Sequence, residues 1–208
     1  QFLPVVEYVR MRPGKRPLIV SPDEEDAVPA PWSVSAKGYG KFMCDVFDEW
    51  VKYDVGKNFV QLFDVTLGNW CGVPPSLCAF AEVCGDGLVV EHNGDVYSCD
   101  HFVYPEYRLG NIATDELSAM YRSSEQQSFG RDKRDALPLE CKRCNYYFLC
   151  RGECPKHRFE YAKNGEPYMN VLCEGYKMFF RHTDPYMRYM KTLIEKGEPA
   201  SKVMDWKR

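Results

Sequence analysis

Four cysteines, Cys141, Cys144, Cys150 and Cys154, fall within fourteen residues in the pattern C-x2-C-x5-C-x3-C. A disulfide framework seldom packs thiols so densely. A metal requires it, because a soft cation needs several thiolates converging on one place. The x2 step lets two sulfurs reach one metal across a tight turn, and the longer steps send later thiols in other directions. A second group, Cys78, Cys84 and Cys99, precedes the block, and Cys173 follows it beside Glu174 and Gly175. Together these eight thiols could supply two four-thiolate sites. Tetrahedral zinc and iron–sulfur clusters both accept four sulfurs, so spacing alone leaves zinc, iron–sulfur and disulfides open.

Composition narrows the setting. The chain has 208 residues, 45% of them hydrophobic, which suffices for a real core. Its net charge of −3 argues against a general nucleic-acid binder. No apolar run is long enough for a transmembrane helix, and no signal peptide is visible, so no membrane association is expected. Ten cysteines without an export signal favour reduced thiols on metal, and hence a cytoplasmic setting. The chain opens at Gln1, not Met, in what reads as mid-strand, which points to a fragment.

The surrounding elements must position these thiols. Residues 1–9 read as a buried strand, and residues 10–34 as a proline-rich loop carrying the acidic cluster Asp23, Glu24, Glu25 and Asp26. From Ser35 to Tyr53 the apolar residues Phe42, Met43, Val46, Phe47, Trp50 and Val51 recur at helical spacing, and Gly56 ends the run. Cys44 belongs to that helix as a core thiol. Asn58 to Val65 reads as a second strand. A composition change near Gly68 places a domain boundary at about residue 70, so residues 1–70 and 71–208 are expected to be separate domains. Beyond it a short helix is expected over Leu77–Val83. Asn93-Gly94 between Leu88–His92 and Asp95–Cys99 signals a hairpin with a type I′ turn. Thr114 is a good N-cap for a helix running to Gln127, and the tail from Tyr176 to Glu195 reads as helix interrupted at Asp184-Pro185.

The complete pattern, C-x9-G-x4-C, then C-x2-C-x5-C-x3-C, then C, resembles the SPASM domain of radical S-adenosylmethionine enzymes. The segment Cys99-Asp100-His-Phe-Val-Tyr104 with Leu109-Gly-Asn-Ile112 resembles, more narrowly, the anaerobic sulfatase-maturating enzymes. That family oxidises an active-site Cys or Ser of a sulfatase to Cα-formylglycine. The resemblance implies an α+β fold: a cysteine-rich SPASM domain, with a short β-hairpin and helices around two metal clusters, preceded by the last strands and helix of a partial, TIM-like α/β barrel. It also implies two [4Fe–4S] auxiliary clusters. Cys78, Cys84, Cys99 and Cys154 would hold the inner one, and Cys141, Cys144, Cys150 and Cys173 the outer one. Asp100 would be the base that takes the substrate proton. The implied partners are a sulfatase polypeptide and an electron donor such as flavodoxin or ferredoxin.

One family motif is missing. The C-x3-C-x2-C that holds the catalytic cluster and S-adenosylmethionine does not occur; Cys150-x3-Cys154-x2-His157 imitates its spacing with SPASM cysteines. The chain therefore resembles the C-terminal half of the enzyme, which should not cleave S-adenosylmethionine by itself. The third [4Fe–4S] cluster and S-adenosylmethionine belong to the complete enzyme, and no residue here is assigned to S-adenosylmethionine. Two other readings stand beside this one: a different peptide-modifying SPASM enzyme, and a zinc-stabilised binding module. Cys71 lies outside the pattern as a spare thiol. His92, His101, His157 and His182 read as surface or hydrogen-bonded histidines. Lys142, Arg143, Arg151, Lys156 and Arg158 read either as a solvated face or as charge compensation for an anionic cluster. Tyr146, Tyr147 and Phe148 are expected to form a dry shell over the outer cluster.

Overall fold

The computed structural model describes residues 1–21 and 24–206. Asp23 of the acidic cluster lies outside them. The strands are β1 (Tyr8–Arg10), β2 (Leu18–Val20), β3 (Val28–Pro29), β4 (Val89–Val90), β5 (Asp95–Tyr97) and β6 (Arg108–Asn111). The helices are α1 (Ala36–Tyr53), α2 (Gln61–Trp70), α3 (Leu117–Arg122), α4 (Ser124–Asp135), α5 (Leu139–Lys142), α6 (Tyr147–Cys150) and α7 (Cys173–Glu195). The architecture is α+β. No helix among the described residues is long and apolar enough to cross a membrane. The chain divides into two compact units, residues 1–74 with 171–208, and residues 75–170.

The first unit is built on helix packing. Ser35 caps α1 by accepting a hydrogen bond from the Gly38 amide at 3.1 Å. Met43, Phe47, Trp50 and Val51 are buried on one face, as their spacing requires. Phe42 departs from the expected face: it is 44% exposed and meets the Phe2 ring edge-on instead. Gly40 and Gly175 let α1 and α7 cross closely. A Cβ at Gly175 would stand 2.2 Å from the Ala36 carbonyl oxygen, and one at Gly40 2.7 Å from Gly175 Cα. Phe47, Phe63 and Phe179 interlock at the centre of this core.

Three expectations are corrected in this unit. Residues 1–9 supply only the start of β1, which pairs antiparallel with both β2 and β3. Asn58 to Val65 is not a strand: the chain enters α2 at Gln61, and Leu62, Phe63, Val65 and Thr66 are buried. That set clusters on one helical face and does not alternate; a short apolar run is ambiguous in sequence. The tail is not interrupted. α7 runs through Pro185, and the carbonyl that loses its amide partner belongs to Arg181, an exposed residue. The tail also packs with α1 and α2, so it belongs with residues 1–74 and not with the cysteine-rich unit, because its buried stripe of Tyr176, Phe179, Phe180, Thr183, Met187 and Met190 needs that core.

The second unit holds the hairpin. β4, β5 and β6 form an antiparallel sheet in that order. Its turn differs from the type I′ expectation. Gly94 alone has positive φ, at 85°, and the Gly94 amide bonds the Glu91 carbonyl. The loop is thus His92-Asn93-Gly94, a three-residue turn with glycine in the left-handed position. Asn93 Oδ1 accepts from the Asp95 amide, which holds that arrangement. The expected helix over Leu77–Val83 shrinks to a 3-10 turn, Cys78–Phe80. The helix expected from Thr114 begins at Leu117 and divides at Ser123, whose hydroxyl caps α4 through the Gln126 amide. Thr114 Oγ1 is turned to Asp115, whose carboxylate already accepts from the Asn111 amide.

Candidate metal centre

None of the ten cysteines is in a disulfide. Cys78 opens its 3-10 turn, Cys84 lies in the following loop, and Cys99 lies just past β5. Cys154 is brought to them from 55 residues further along the chain. Its thiol stands 3.3 Å from His101 Nδ1 and feels the Cys99 and Cys78 thiols. Cys84 and Cys99 also feel Cys78. These four thiols therefore share one neighbourhood inside the second unit. Burial pushes Cys99 and Cys154 up to about 12 and raises Cys84. Protonated thiols are what low dielectric dictates when no cation is present; a coordinated metal reverses that balance.

Cys141, Cys144 and Cys150 lie on and around α5 and α6. Cys141 Sγ stands 3.4 Å from Met169 Sδ, and Cys144 Sγ accepts from the Tyr146 amide at 3.4 Å. The chain reverses sharply here: Arg151, Gly152 and Glu153 all have positive φ, at 48°, 74° and 52°. That run of left-handed residues re-aims the chain between Cys150 and Cys154, so neighbours in sequence can serve different sites. Cys173 is the first residue of α7, in the other unit.

α4 fixes the loop that carries Cys84. Gln126, Gly130 and Lys133 recur along one face of it and are buried. Gln126 Nε2 donates to the Gly85 and Ser98 carbonyls at 2.6 and 3.2 Å, beside Cys84 and Cys99. The Cys84 amide donates to the Gly130 carbonyl, and a Cβ on Gly130 would stand 2.3 Å from the Cys84 oxygen. Lys133 Nζ donates to the Ala81 carbonyl. This face was missed in the sequence; its only trace is a Gln, a Gly and a Lys at helical spacing in a polar helix, which reads as solvated.

Of the basic residues around the block, Lys142 and Arg143 are exposed, while Arg158 is 4% exposed. Arg158 donates to the carbonyls of Gly152, Lys133, Arg151 and Glu153, tying the turn before Cys154 to α4. His157 is the hydrogen-bonded kind of histidine and is buried: its Nδ1 meets Glu153 Oε2 at 2.9 Å, and Asn170 Nδ2 donates to the same oxygen at 2.7 Å. Of the aromatic residues expected over the outer cluster, Tyr146 and Tyr147 are half-buried. Leu149 is buried, whereas Phe148 is 36% exposed.

Asp100 is exposed, and its Oδ1 accepts from Cys99 Sγ at 3.1 Å. That bond, with help from His101 and local amides, lowers its carboxyl below the usual range. The group is thus ionised at neutral pH, as a proton acceptor must be. The thiol proton now occupying it is the one Cys99 must lose to become a metal ligand.

The donor set, all cysteine, is one that an iron–sulfur cluster accepts. Among the described residues, no three Cys, His, Asp or Glu side chains converge on one ion-sized point. A four-iron cluster does not need that convergence, because each thiolate takes a different iron.

Comparison with known proteins agrees. The model of SPASM, an iron–sulfur cluster-binding domain, matches residues 78–145. A serine-type anaerobic sulfatase-maturating enzyme of Bacteroides thetaiotaomicron is 48% identical over 97% of this chain and 49% of its own length. A cysteine-type anaerobic sulfatase-maturating enzyme of Clostridium novyi is 33% identical over 78% of this chain and 44% of its own. A solved structure described as native anSMEcpe with bound AdoMet and Cp18Cys peptide superposes with a TM-score of 0.69 at 28% identity. It covers 79% of this chain and 46% of that one. The chain spans about half the length of the curated relatives it matches.

Proposed function

We propose that this chain, as the C-terminal half of an anaerobic sulfatase-maturating enzyme, carries the auxiliary clusters and the substrate-side base of that reaction. The observation that supports this best is local. Four thiols share one neighbourhood in the SPASM unit, and an exposed, ionised carboxylate, Asp100, adjoins one of them. Cys78, Cys84, Cys99 and Cys154 hold the inner [4Fe–4S] cluster. Cys141, Cys144, Cys150 and Cys173 hold the outer one. Both sets fully ligate their clusters, which leaves no open iron for substrate and favours electron transfer. Residues 1–70 correspond to the end of the radical barrel.

Oxidising a Ser side chain to formylglycine removes two electrons and two protons; from Cys the same removal gives a thioaldehyde, and its hydrolysis takes up water and releases hydrogen sulfide to give formylglycine. When bound, S-adenosylmethionine and its own cluster would supply the radical that takes a Cβ hydrogen atom, and the auxiliary clusters would supply an acceptor for the second electron. Asp100 takes the remaining proton, from the substrate thiol or hydroxyl. Its exposure lets a peptide reach it, and a carboxylate of ordinary pKa is unprotonated at neutral pH. Ligation of Cys99 would remove the thiol donor that Asp100 now holds, leaving the carboxylate open for substrate. Anchoring of Cys99 would also restrain the Asp100 backbone. A sulfatase polypeptide is the partner, a flavodoxin or ferredoxin the electron source, and the cytoplasm the setting.

The test is Asp100→Asn in the complete enzyme. The variant should keep its auxiliary clusters and still cleave S-adenosylmethionine, yet lose most formylglycine product from a sulfatase peptide. Product formation at the parent rate would refute the base assignment, and loss of the clusters would make Asp100 structural. A peptide product other than formylglycine from the parent enzyme would favour a different SPASM modification.

A further inference from the structure

Lys133 is 1% exposed, on the buried face of α4. An ammonium has three donors, and burying it without partners is costly. Among the described residues its one hydrogen bond goes to the Ala81 carbonyl. Arg158, buried beside it, spends its donors on four carbonyls, that of Lys133 included. The buried carboxylate that acts on Lys133, Glu153, is already held by His157 and Asn170. Burial and then the Arg158 charge push Lys133 down to about 8, and the thiols of Cys84, from the first group, and Cys150, from the second, act the other way. The ammonium, with donors to spare, thus meets the loop that leads to Cys84 at Ala81, while the Lys133 carbonyl is tied through Arg158 to the turn between Cys150 and Cys154.

We propose that Lys133 is a buried cation shared by the two auxiliary clusters, donating hydrogen bonds toward their sulfurs and raising their reduction potentials. The inference rests on the two-cluster reading above. A [4Fe–4S]2+ core with four thiolates carries a net charge of −2, and one-electron reduction makes it −3. A nearby ammonium stabilises the more negative state more, and hydrogen bonds to cluster sulfur act in the same direction. Arg158 adds charge nearby but has four of its five donors committed to backbone, whereas Lys133 has two of three to spare for sulfur. Its burial keeps water from screening the effect.

The experiment uses the complete enzyme, reconstituted anaerobically, with Lys133→Met and Lys133→Arg. Iron content is measured first, then the auxiliary-cluster potentials by redox titration followed by electron paramagnetic resonance. At the wild-type midpoint, Lys133→Met should lower the reduced-to-oxidised ratio of an auxiliary cluster about tenfold, which is ~59 mV for one electron. Lys133→Arg should move it less. A fully loaded Lys133→Met enzyme with unshifted potentials overturns the proposal. Should Lys133→Met fail to load, wild-type enzyme labelled with 15N-lysine decides. A hyperfine coupling from lysine nitrogen to a reduced auxiliary cluster, lost in Lys133→Arg, supports the proposal; its absence overturns it. Wild-type enzyme that takes up no auxiliary iron defeats the cluster reading itself and is distinguished by the iron count.

Discussion

Cys154 and Cys71 differ in what surrounds them, although both are partly buried free thiols. Cys154 meets His101 and the thiols of Cys99 and Cys78. Cys71 lies at the end of α2, where burial raises its thiol and the charged groups acting on it are Lys191 and Glu195. Cys154→Ala should therefore cost the inner cluster, about four irons per chain, and lower the thermal midpoint of the loaded protein. Cys71→Ala should leave both unchanged. Equal iron content and equal melting in the two variants would show that Cys154 is no ligand. Gln126 offers a subtler case at the same scale. Gln126→Leu keeps the volume but removes the donor shared by the half-buried Gly85 and the buried Ser98 carbonyls, so both acceptors lose a partner. A loss of about 1–3 kcal/mol is expected in chemical denaturation of the second unit.

Two helices depend on glycine for space, not for backbone freedom. α4 approaches the Cys84 loop at Gly130, and Gly130→Ala would drive a methyl group into the Cys84 carbonyl. The backbone of a proposed ligand would have to move, so iron uptake should fall while the helix content of the first unit stays intact. Normal iron stoichiometry in Gly130→Ala would show that the loop adapts. α7 meets α1 at Gly175, where a methyl would collide with the Ala36 carbonyl. Overpacking of this kind typically costs about 1–3 kcal/mol. Gly175→Ala should lower the denaturation midpoint of the first unit.

The two units hold their folds by different means. Among the described residues, twenty buried apolar side chains lie in the first unit and seven in the second. The second has short elements, with strands of two to four residues and helices of four to twelve. So small an apolar core leaves the proposed metal to supply much of its folding energy. Anaerobically reconstituted protein should hold about eight irons. Removal of that iron by a chelator should expose residues 75–170 to protease, while fragments from residues 1–74 and 171–206 stay protected. Uniform resistance in the iron-free protein would show that the second unit folds without metal, and stoichiometric zinc without iron uptake would favour the zinc-stabilised module.

Much of the site was legible because metal ligation leaves residue-type signatures at fixed short spacing. The cysteine pattern, the resemblance it carries and the acidic residue after Cys99 all follow from the chain read as letters. α1 was legible too, because a capping serine and an apolar stripe are local facts. What sequence could not resolve depended on partners distant along the chain. Gln61–Val65 became helix because Leu62, Phe63 and Thr66 share one buried face of α2. Pro185 failed to break α7 because the rest of that helix is held in the first unit's core. The hairpin turn took a three-residue loop, since Gly94 alone adopts positive φ and Asn93 binds back to Asp95. Above all, Arg158 could be read as a solvated charge or as a cluster's counter-charge and Lys133 carried no signal, until the tertiary structure buried both. Spacing along the chain specifies which residues can ligate; burial and long-range contact decide which charges surround them, because the cost of a charge is set by the medium around it and not by its neighbours in sequence.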